Sequence, residues 1–276
     1  MNFGQRKKIS LRKKILLLVL LFCMPIVLVS PHNMTANMLK ECTNGTKVVV
    51  LNYHKIDNMN ISLSVLPKDF DQQMAYLKKN NYHTITPNEL YDSLNNGTEL
   101  PENPVILTFD DGYRDNYTYA YPILKKYGFK GTIFVITSFM DVQPNYITWE
   151  QAKEMEADGT IDIESHTVDH KSMTGLSDDQ LRDELVLSKR EIEQRLGKQV
   201  NFMAYPTGTY NLHIAQFVKE AGYKGAFTIK YGNVDKASNV YALERVPIFH
   251  TADTFKSFCE RLQYIPVFER LGWIKS

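Results

Sequence analysis

Two adjacent carboxylates follow an apolar stretch of this sequence. Residues 105–109 are typical of a buried strand, and the stretch ends directly in Asp110, Asp111 and Gly112. Each acid raises the free-energy cost of ionising its neighbour unless a cation or hydrogen-bond donors compensate the charge. A metal ion is the simplest such partner, whereas the alternative is that the two aspartates only open a turn before the glycine. The pair alone leaves both interpretations open.

Two histidines four residues apart follow another apolar stretch. His166 and His170 come after residues 160–164, and imidazoles at this spacing can face one cation from a helical turn or a curved loop. Taken alone, the spacing is weak evidence for a metal site and favours a surface pair. Combined with a carboxylate, they would complete a site with open coordination positions, which is typical of hydrolysis. One aspartate would then bind the metal, and its neighbour would take a proton from water.

The elements that must position these residues alternate regularly along the chain. Helical periodicity and capping signals separate the apolar stretches, as in the helix that begins after Thr86 and in the long helix from 177 to 196. We predict strands at 48–53, 82–85, 105–109, 132–136, 160–164, 202–205, 225–229 and 243–248. Such alternation predicts a parallel sheet, either open or closed, and the number of strands favours a distorted (β/α) barrel of about seven strands.

In a barrel of this kind, the loops that follow the strands share one face, where catalytic groups gather. The candidate catalytic and metal-binding residues all lie on loops that follow strands. They are His54, Asp110, Asp111, His166, His170 and the turn Tyr205-Pro206-Thr207-Gly208. We therefore expect one site at the carboxyl ends of the strands.

The N-terminus differs in composition from the rest of the chain. Residues 1–30 contain six basic residues, no acidic residue and an apolar run at 15–29, which is the layout of a signal peptide or membrane anchor. Residues 31–46 are typical of a linker, and we expect a single domain at 47–276 that acts outside the cytoplasm.

Residues 31–276 contain 26 basic and 31 acidic residues, a formal charge of −5, which argues against nucleic acid as a partner. A membrane contact is expected only through the N-terminal segment.

The motifs resemble those of the polysaccharide deacetylases with a NodB-homology domain, the family-four carbohydrate esterases. The segment 108–112, Thr-Phe-Asp-Asp-Gly, is similar to the first family motif, and His166 and His170 match the second. The resemblance covers roughly residues 48–265. It implies that Asp110 is the catalytic base, that Asp111, His166 and His170 bind a divalent metal, usually zinc, and that the barrel has about seven strands.

The resemblance also implies the reaction, which is removal of acetyl groups from a sugar polymer, most often from N-acetylglucosamine units. The segments 51–54 and 204–208 look like the branch that acts on poly-N-acetylglucosamine. We therefore expect an acetylated glucosamine polymer as partner, whether peptidoglycan, poly-N-acetylglucosamine or a chitin-like chain. An O-acetyl polysaccharide esterase and a non-catalytic carbohydrate-binding protein on the same barrel stay as alternatives.

Two family features are altered or missing in this chain. Ala204 stands where the family has an arginine that orients the base, and Arg245 is the candidate replacement, with an ion pair at the barrel rim as the alternative. The usual Leu-x-His that supplies a general acid is not visible, so His54 is our first choice for that role and His250 the second. By resemblance, the backbone N–H of Thr207 stabilises the oxyanion.

Overall fold

The structure, a computed structural model, describes residues 47–263 and places eight strands in one parallel sheet. The strands are β1 Val49–Tyr53, β2 His83–Thr84, β3 Pro104–Phe109, β4 Gly131–Val135, β5 Ile161–Ser165, β6 Phe202–Ala204, β7 Gly225–Tyr231 and β8 Leu243–Pro247. Strand β1 pairs with both β3 and β8, so seven strands close into a barrel, and the short β2 pairs with β3 outside the ring. The predicted barrel of about seven strands is confirmed.

Helices alternate with the strands as the sequence predicts. Within residues 47–263 they are α1 Pro67–Lys79, α2 Pro87–Asn96, α3 Tyr121–Tyr127, α4 Trp149–Ala157, α5 Asp178–Leu196, α6 Leu212–Glu220 and α7 Thr254–Gln263. The side chains of Thr86, Thr148 and Ser177 each cap a helix by accepting a backbone N–H three residues later. In this part of the chain, no helix is both long enough and apolar enough to cross a membrane.

The strands pack against side chains on both of their faces. Alternate residues of a strand point to opposite sides, so Val50, Ile106, Phe134, Phe202 and Phe227 form one apolar cluster inside the barrel. The other face packs against the helices in a second, larger cluster that includes Leu51, Leu107 and Leu185. Burying an aliphatic or aromatic side chain of this size contributes about 1.5–3 kcal/mol to stability, so both layers hold the strand ends in place.

The segment after β3 departs from the predicted helix at 119–127. It begins with a π-helical turn at Asn116–Ala120, and only then continues as α3. Turns of this type are rare in proteins, but many of those that occur lie at functional sites. Here the turn brings the side chain of Asn116 against the chain that leaves β1.

The predicted export or anchor segment at 1–30 and the predicted linker at 31–46 lie outside the described residues. The same holds for residues 264–276 at the end of the predicted domain.

Candidate active site

The carboxyl ends of two strands bring the predicted metal ligands together. Asp111 follows β3, and His166 and His170 follow β5, with one possible ligand atom from each residue lying within 4.8 Å of the others. Nε2 of His166 and Nε2 of His170 are each 3.5 Å from Oδ1 of Asp111. Two of the three side chains are buried and that of His170 is partly exposed, so the cluster is open on one side.

The spacing and chemistry of these atoms fit a zinc-like cation. In a tetrahedral site with bonds of about 2.1 Å, neighbouring ligand atoms lie about 3.4 Å apart, close to the two distances found here. The ring Nδ1 of His166 lies 2.8 Å from the carbonyl oxygen of Ala204, and a donated Nδ1–H leaves the lone pair of Nε2 free to face the cluster. Burial opposes ionisation of Asp111, but the neighbouring imidazoles of His166 and His54 together outweigh it and lower the pKa of Asp111.

The backbone of the ligands is held in an uncommon conformation. Asp111, Thr167 and His170 have φ angles of 74°, 68° and 56°, which non-glycine residues rarely adopt. Such conformations cost about 1–3 kcal/mol each and persist only where the surroundings fix them. The N–H of His170 donates to the Thr167 hydroxyl at 3.2 Å, and the N–H groups of Val168 and Asp169 both donate to one carboxylate oxygen of Glu184 at 2.9 Å.

Asp110 lies beside this cluster and pairs with Arg245. Nη1 and Nη2 of Arg245 donate to Oδ1 and Oδ2 of Asp110, each at 2.7 Å, and neither residue is more than 2% exposed. The guanidinium also donates to the Thr228 carbonyl at 2.8 Å and the Thr108 hydroxyl at 3.2 Å. Arg245 therefore lies inside the barrel and contacts the predicted base directly. Burial raises the cost of ionising Asp110, but Arg245 and His166 outweigh it and hold the pKa of Asp110 well below its usual range.

His54 follows β1 and faces the same aspartate. Its Nε2 is 4.0 Å from Oδ2 of Asp110, and its side chain is 17% exposed. Burial lowers the pKa of His54, although Asp110 opposes the shift, so the imidazole is neutral near pH 7. Asn116 donates to the carbonyl of His54 at 2.9 Å, and Asp115 accepts the N–H of Ile56 at 2.7 Å, so the π-helical turn fixes the chain on which His54 lies.

The turn after β6 carries Thr207 in a left-handed conformation, with φ 56° and ψ 7°. The N–H of Gly208 donates to the carbonyl of Tyr205 at 2.8 Å, which closes the turn. The Thr207 side chain is exposed, and its hydroxyl lies 3.0 Å from that of Thr209. Thr209 in turn lies 3.4 Å from the Ser172 hydroxyl, so this turn adjoins the loop of the two histidines.

The structure does not bring His250 to the aspartate pair. Its N–H donates to the carbonyl of Ser62 at 2.8 Å, and its side chain lines a separate cavity between the starts of α1 and α7. Within residues 47–263, no hydrogen bond or ion pair joins His250 to Asp110 or Asp111. His54 is thus the histidine that the structure places by the predicted base.

Sequence reasoning missed three residues that support the site: Glu184, Asp115 and Asn116. Glu184 could have been found, because it lies with Ser188 on the face of α5 that also carries Leu181, Leu185 and Ile192. A carboxylate within an apolar stripe is buried when the helix packs, and a buried carboxylate needs hydrogen-bond donors or a cation. Its position in the stripe therefore indicates that Glu184 binds another part of the chain. The contacts of Asp115 and Asn116 depend on the π-helical turn, for which the sequence shows no comparable pattern.

Comparison with known proteins identifies the family. A family model described as polysaccharide deacetylase matches residues 97–226. YxkH of Bacillus subtilis (strain 168), which is assigned to the polysaccharide deacetylases, is 40% identical over 202 residues, covering 73% of this chain and 71% of YxkH. This chain belongs to the polysaccharide deacetylase family. The resemblance seen in the sequence is confirmed, and the protein is a hydrolase of the deacetylase type.

Two further relatives extend the match. A poly-beta-1,6-N-acetyl-D-glucosamine N-deacetylase of Staphylococcus aureus (strain MSSA476) is 26% identical over 280 residues, 90% of this deacetylase and 95% of the relative. The solved structure of the Streptococcus pyogenes deacetylase PplD, in complex with acetate, superposes with a TM-score of 0.71 at 33% identity. The superposition covers 75% of this chain and 94% of PplD, so the two proteins share the barrel.

Proposed function

We propose that this protein is a metal-dependent hydrolase that removes N-acetyl groups from N-acetylglucosamine units of an extracellular or cell-wall polysaccharide. The observation that carries the proposal is the position of the Arg245–Asp110 pair beside the cluster of Asp111, His166 and His170. The substrate class is supported by the Staphylococcus aureus relative, whose name gives poly-beta-1,6-N-acetyl-D-glucosamine as its substrate.

Asp111, His166 and His170 would hold the divalent cation, most simply Zn²⁺, given two imidazoles and one carboxylate. When bound, the ion polarises the acetyl carbonyl and lowers the pKa of water. The chain's own residues then move the protons and stabilise the charge. Their positions around the cluster suggest a role for each.

Asp110 acts as the base. Arg245 keeps its carboxylate ionised, and the carboxylate removes a proton from water as the oxygen attacks the acetyl carbon. The tetrahedral oxyanion that forms is stabilised by the backbone N–H of Thr207 in the turn after β6.

His54 completes the proton transfer. Since the pKa of Asp110 is low, its carboxyl group holds the proton weakly and passes it to the neutral imidazole, whose Nε2 lies 4.0 Å away. His54 then protonates the sugar nitrogen as the C–N bond breaks. Acetate and a free amine are released, and both residues return to their starting protonation states. Near neutral pH the amine is cationic, so the product polymer has gained positive charge.

We also propose that the enzyme acts outside the cytoplasm, either secreted or held at the membrane by residues 1–30. The basic and then apolar composition of that segment supports this location. Protease treatment of intact cells should degrade the enzyme if it is displayed outside, and full protection until lysis would contradict the location.

The proposed activity is tested by acetate release from N-acetylglucosamine oligomers with Zn²⁺-loaded protein. Release that stops on chelation and returns with Zn²⁺ is the expected result. Acetylated xylan tested in parallel addresses the O-acetyl alternative, which a preference for xylan would favour. A protein that binds the oligomers and frees no acetate is the non-catalytic alternative, and the proposed activity would then be wrong.

A further inference from the structure

Glu184 is a buried carboxylate on helix α5 with no role in the proposed proton transfers. It is 5% exposed, and its Oε2 accepts the N–H groups of Val168 and Asp169, both at 2.9 Å. These two residues lie between His166 and His170. One side chain therefore fixes the backbone that joins the two histidines of the cluster.

The segment that Glu184 holds is conformationally costly. Thr167, just before the two donors, has φ 68°, and His170, just after them, has φ 56°. Non-glycine residues at such angles cost about 1–3 kcal/mol each and need external contacts to persist. Hydrogen bonds to an ionised acceptor are about twice as strong as those between neutral groups, so a carboxylate is well suited to this task.

A second side chain of α5 acts on the same segment. Ser188, four residues after Glu184 and so on the same face of the helix, lies 2.9 Å from the hydroxyl of Ser165. Ser165 in turn accepts the N–H of Thr167 at 3.2 Å. The charge of Glu184 is balanced by Lys171, whose Nζ lies 3.3 Å from Oε1. The helix therefore fastens the histidine segment at two successive turns.

We propose that Glu184 is a positioning residue for metal binding, which keeps His166 and His170 in their ligating arrangement before the cation arrives. This inference rests on the proposed metal-dependent function. Within residues 47–263, no hydrogen bond or ion pair joins Glu184 to the side chains of Asp110, Asp111, His166 or His170, so it acts through the backbone of Val168 and Asp169. Its loss should weaken metal binding much more than turnover of the metal-loaded enzyme.

The test is a titration of the metal-free full chain with Zn²⁺ against a competing chelator. Outer residues that orient metal ligands typically contribute 10–100-fold to affinity, so Glu184→Ala should raise the Kd for Zn²⁺ by that factor. Glu184→Gln keeps an oxygen that can accept both N–H groups but lacks the charge, so it should raise the Kd measurably, by a smaller factor of up to about tenfold. At saturating Zn²⁺, the kcat of Glu184→Gln on an N-acetylglucosamine oligomer should stay within about threefold of the wild type.

Asp183→Asn is the matched control, because it removes the same charge from the exposed neighbouring position of α5 and should leave the Kd unchanged. A purely structural role predicts a lower melting temperature for both Glu184 variants with an unchanged Kd, and that result would overturn the inference. The Gln variant keeps the test valid if the Ala variant does not fold. Wild-type protein that binds no Zn²⁺ would overturn the proposed metal dependence as well, whereas equal binding by wild type and variants overturns only the role of Glu184.

Discussion

Arg245 and Asp110 form a two-point ion pair inside the barrel, with both N–O distances at 2.7 Å. The arginine comes from the middle of β8 and the aspartate from the end of β3. Because a guanidinium presents two parallel donors, it fixes both the charge and the orientation of the carboxylate. Arg245 therefore controls both the ionisation of the proposed base Asp110 and the direction in which its carboxylate points.

Replacing Arg245 with lysine should shift the pH dependence of the reaction. Lysine offers a point charge in place of the two-point contact, so burial, which raises the pKa of Asp110, is less well opposed. More of the carboxylate is then protonated at low pH, and the acid limb of kcat/KM should move to higher pH. Measured profiles of wild type and Arg245→Lys check this expectation.

The lysine variant is preferable to an apolar one, because removing the cation from a buried pair costs about 3–5 kcal/mol of stability. Melting temperatures of wild type and variant should therefore accompany the profiles. An acid limb at unchanged pH, with a uniform loss of rate, would show that Arg245 orients the base and does not set its charge.

The position of the site could be predicted from local patterns. The apolar stretches and capping residues define the strands and helices, and parallel strands place their carboxyl ends on one face. This reasoning was sufficient to group His54, Asp111, His166 and His170, which lie on loops directly after strands. It needed no knowledge of how the helices pack.

The contacts around the site depend on packing that the sequence does not specify. Arg245 points into the barrel because it shares a strand face with Leu243, but a shift of one residue in register would turn it outward. Glu184 reaches the histidine segment only because α5 packs against the sheet in the orientation that turns the Glu184 face of the helix inward. Both residues contact partners that are distant in the sequence. For this reason the sequence patterns left the partner of Arg245 open and did not predict a role for Glu184.

Asp110→Asn and His166→Ala should separate proton transfer from metal binding. The asparagine is nearly isosteric and leaves all three proposed ligands in place, so Zn²⁺ should bind while turnover falls by about 10²–10⁴-fold. The alanine removes a buried ligand, so Zn²⁺ binding itself should be lost. Metal content after dialysis and acetate release measure the two effects, and the reverse pattern would contradict the assigned roles.

His54→Gln should affect substrates according to their leaving group. An amine leaves poorly unless it is protonated, so release of acetate from an N-acetylglucosamine oligomer should fall by about 10²–10⁴-fold. The 4-nitrophenolate of 4-nitrophenyl acetate needs no proton to leave, so hydrolysis of that ester should be much less affected. Steady-state rates on both substrates provide the check, and Asp110→Asn, which should slow both, is the control. Equal losses on the two substrates would rule out His54 as the general acid.

Gly208→Ala should disturb the turn that presents the Thr207 N–H. A Cβ at Gly208 would overlap Cγ1 of Ile229 and lie 2.6 Å from its Cβ, and a change of side-chain rotamer cannot move the Cβ of Ile229 away. The backbone must shift, at a cost of about 1–3 kcal/mol for overpacking in addition to the penalty of about 1–2 kcal/mol for φ 69°.

Gly128→Ala is the matched control, since Gly128 has φ 67° at the end of α3 and a Cβ there would meet no atom within 4 Å. It incurs only the backbone penalty, so the two variants differ in the clash alone. Gly208→Ala should therefore lose more stability in thermal unfolding and, because the turn moves, should also lose kcat. Gly128→Ala should keep its kcat, since α3 ends away from the proposed oxyanion donor. If Gly208→Ala loses more stability than Gly128→Ala but keeps its kcat, the turn after β6 has moved without consequence, and the Thr207 N–H is not the group that stabilises the oxyanion. Equal melting temperatures would contradict the expected clash with Ile229.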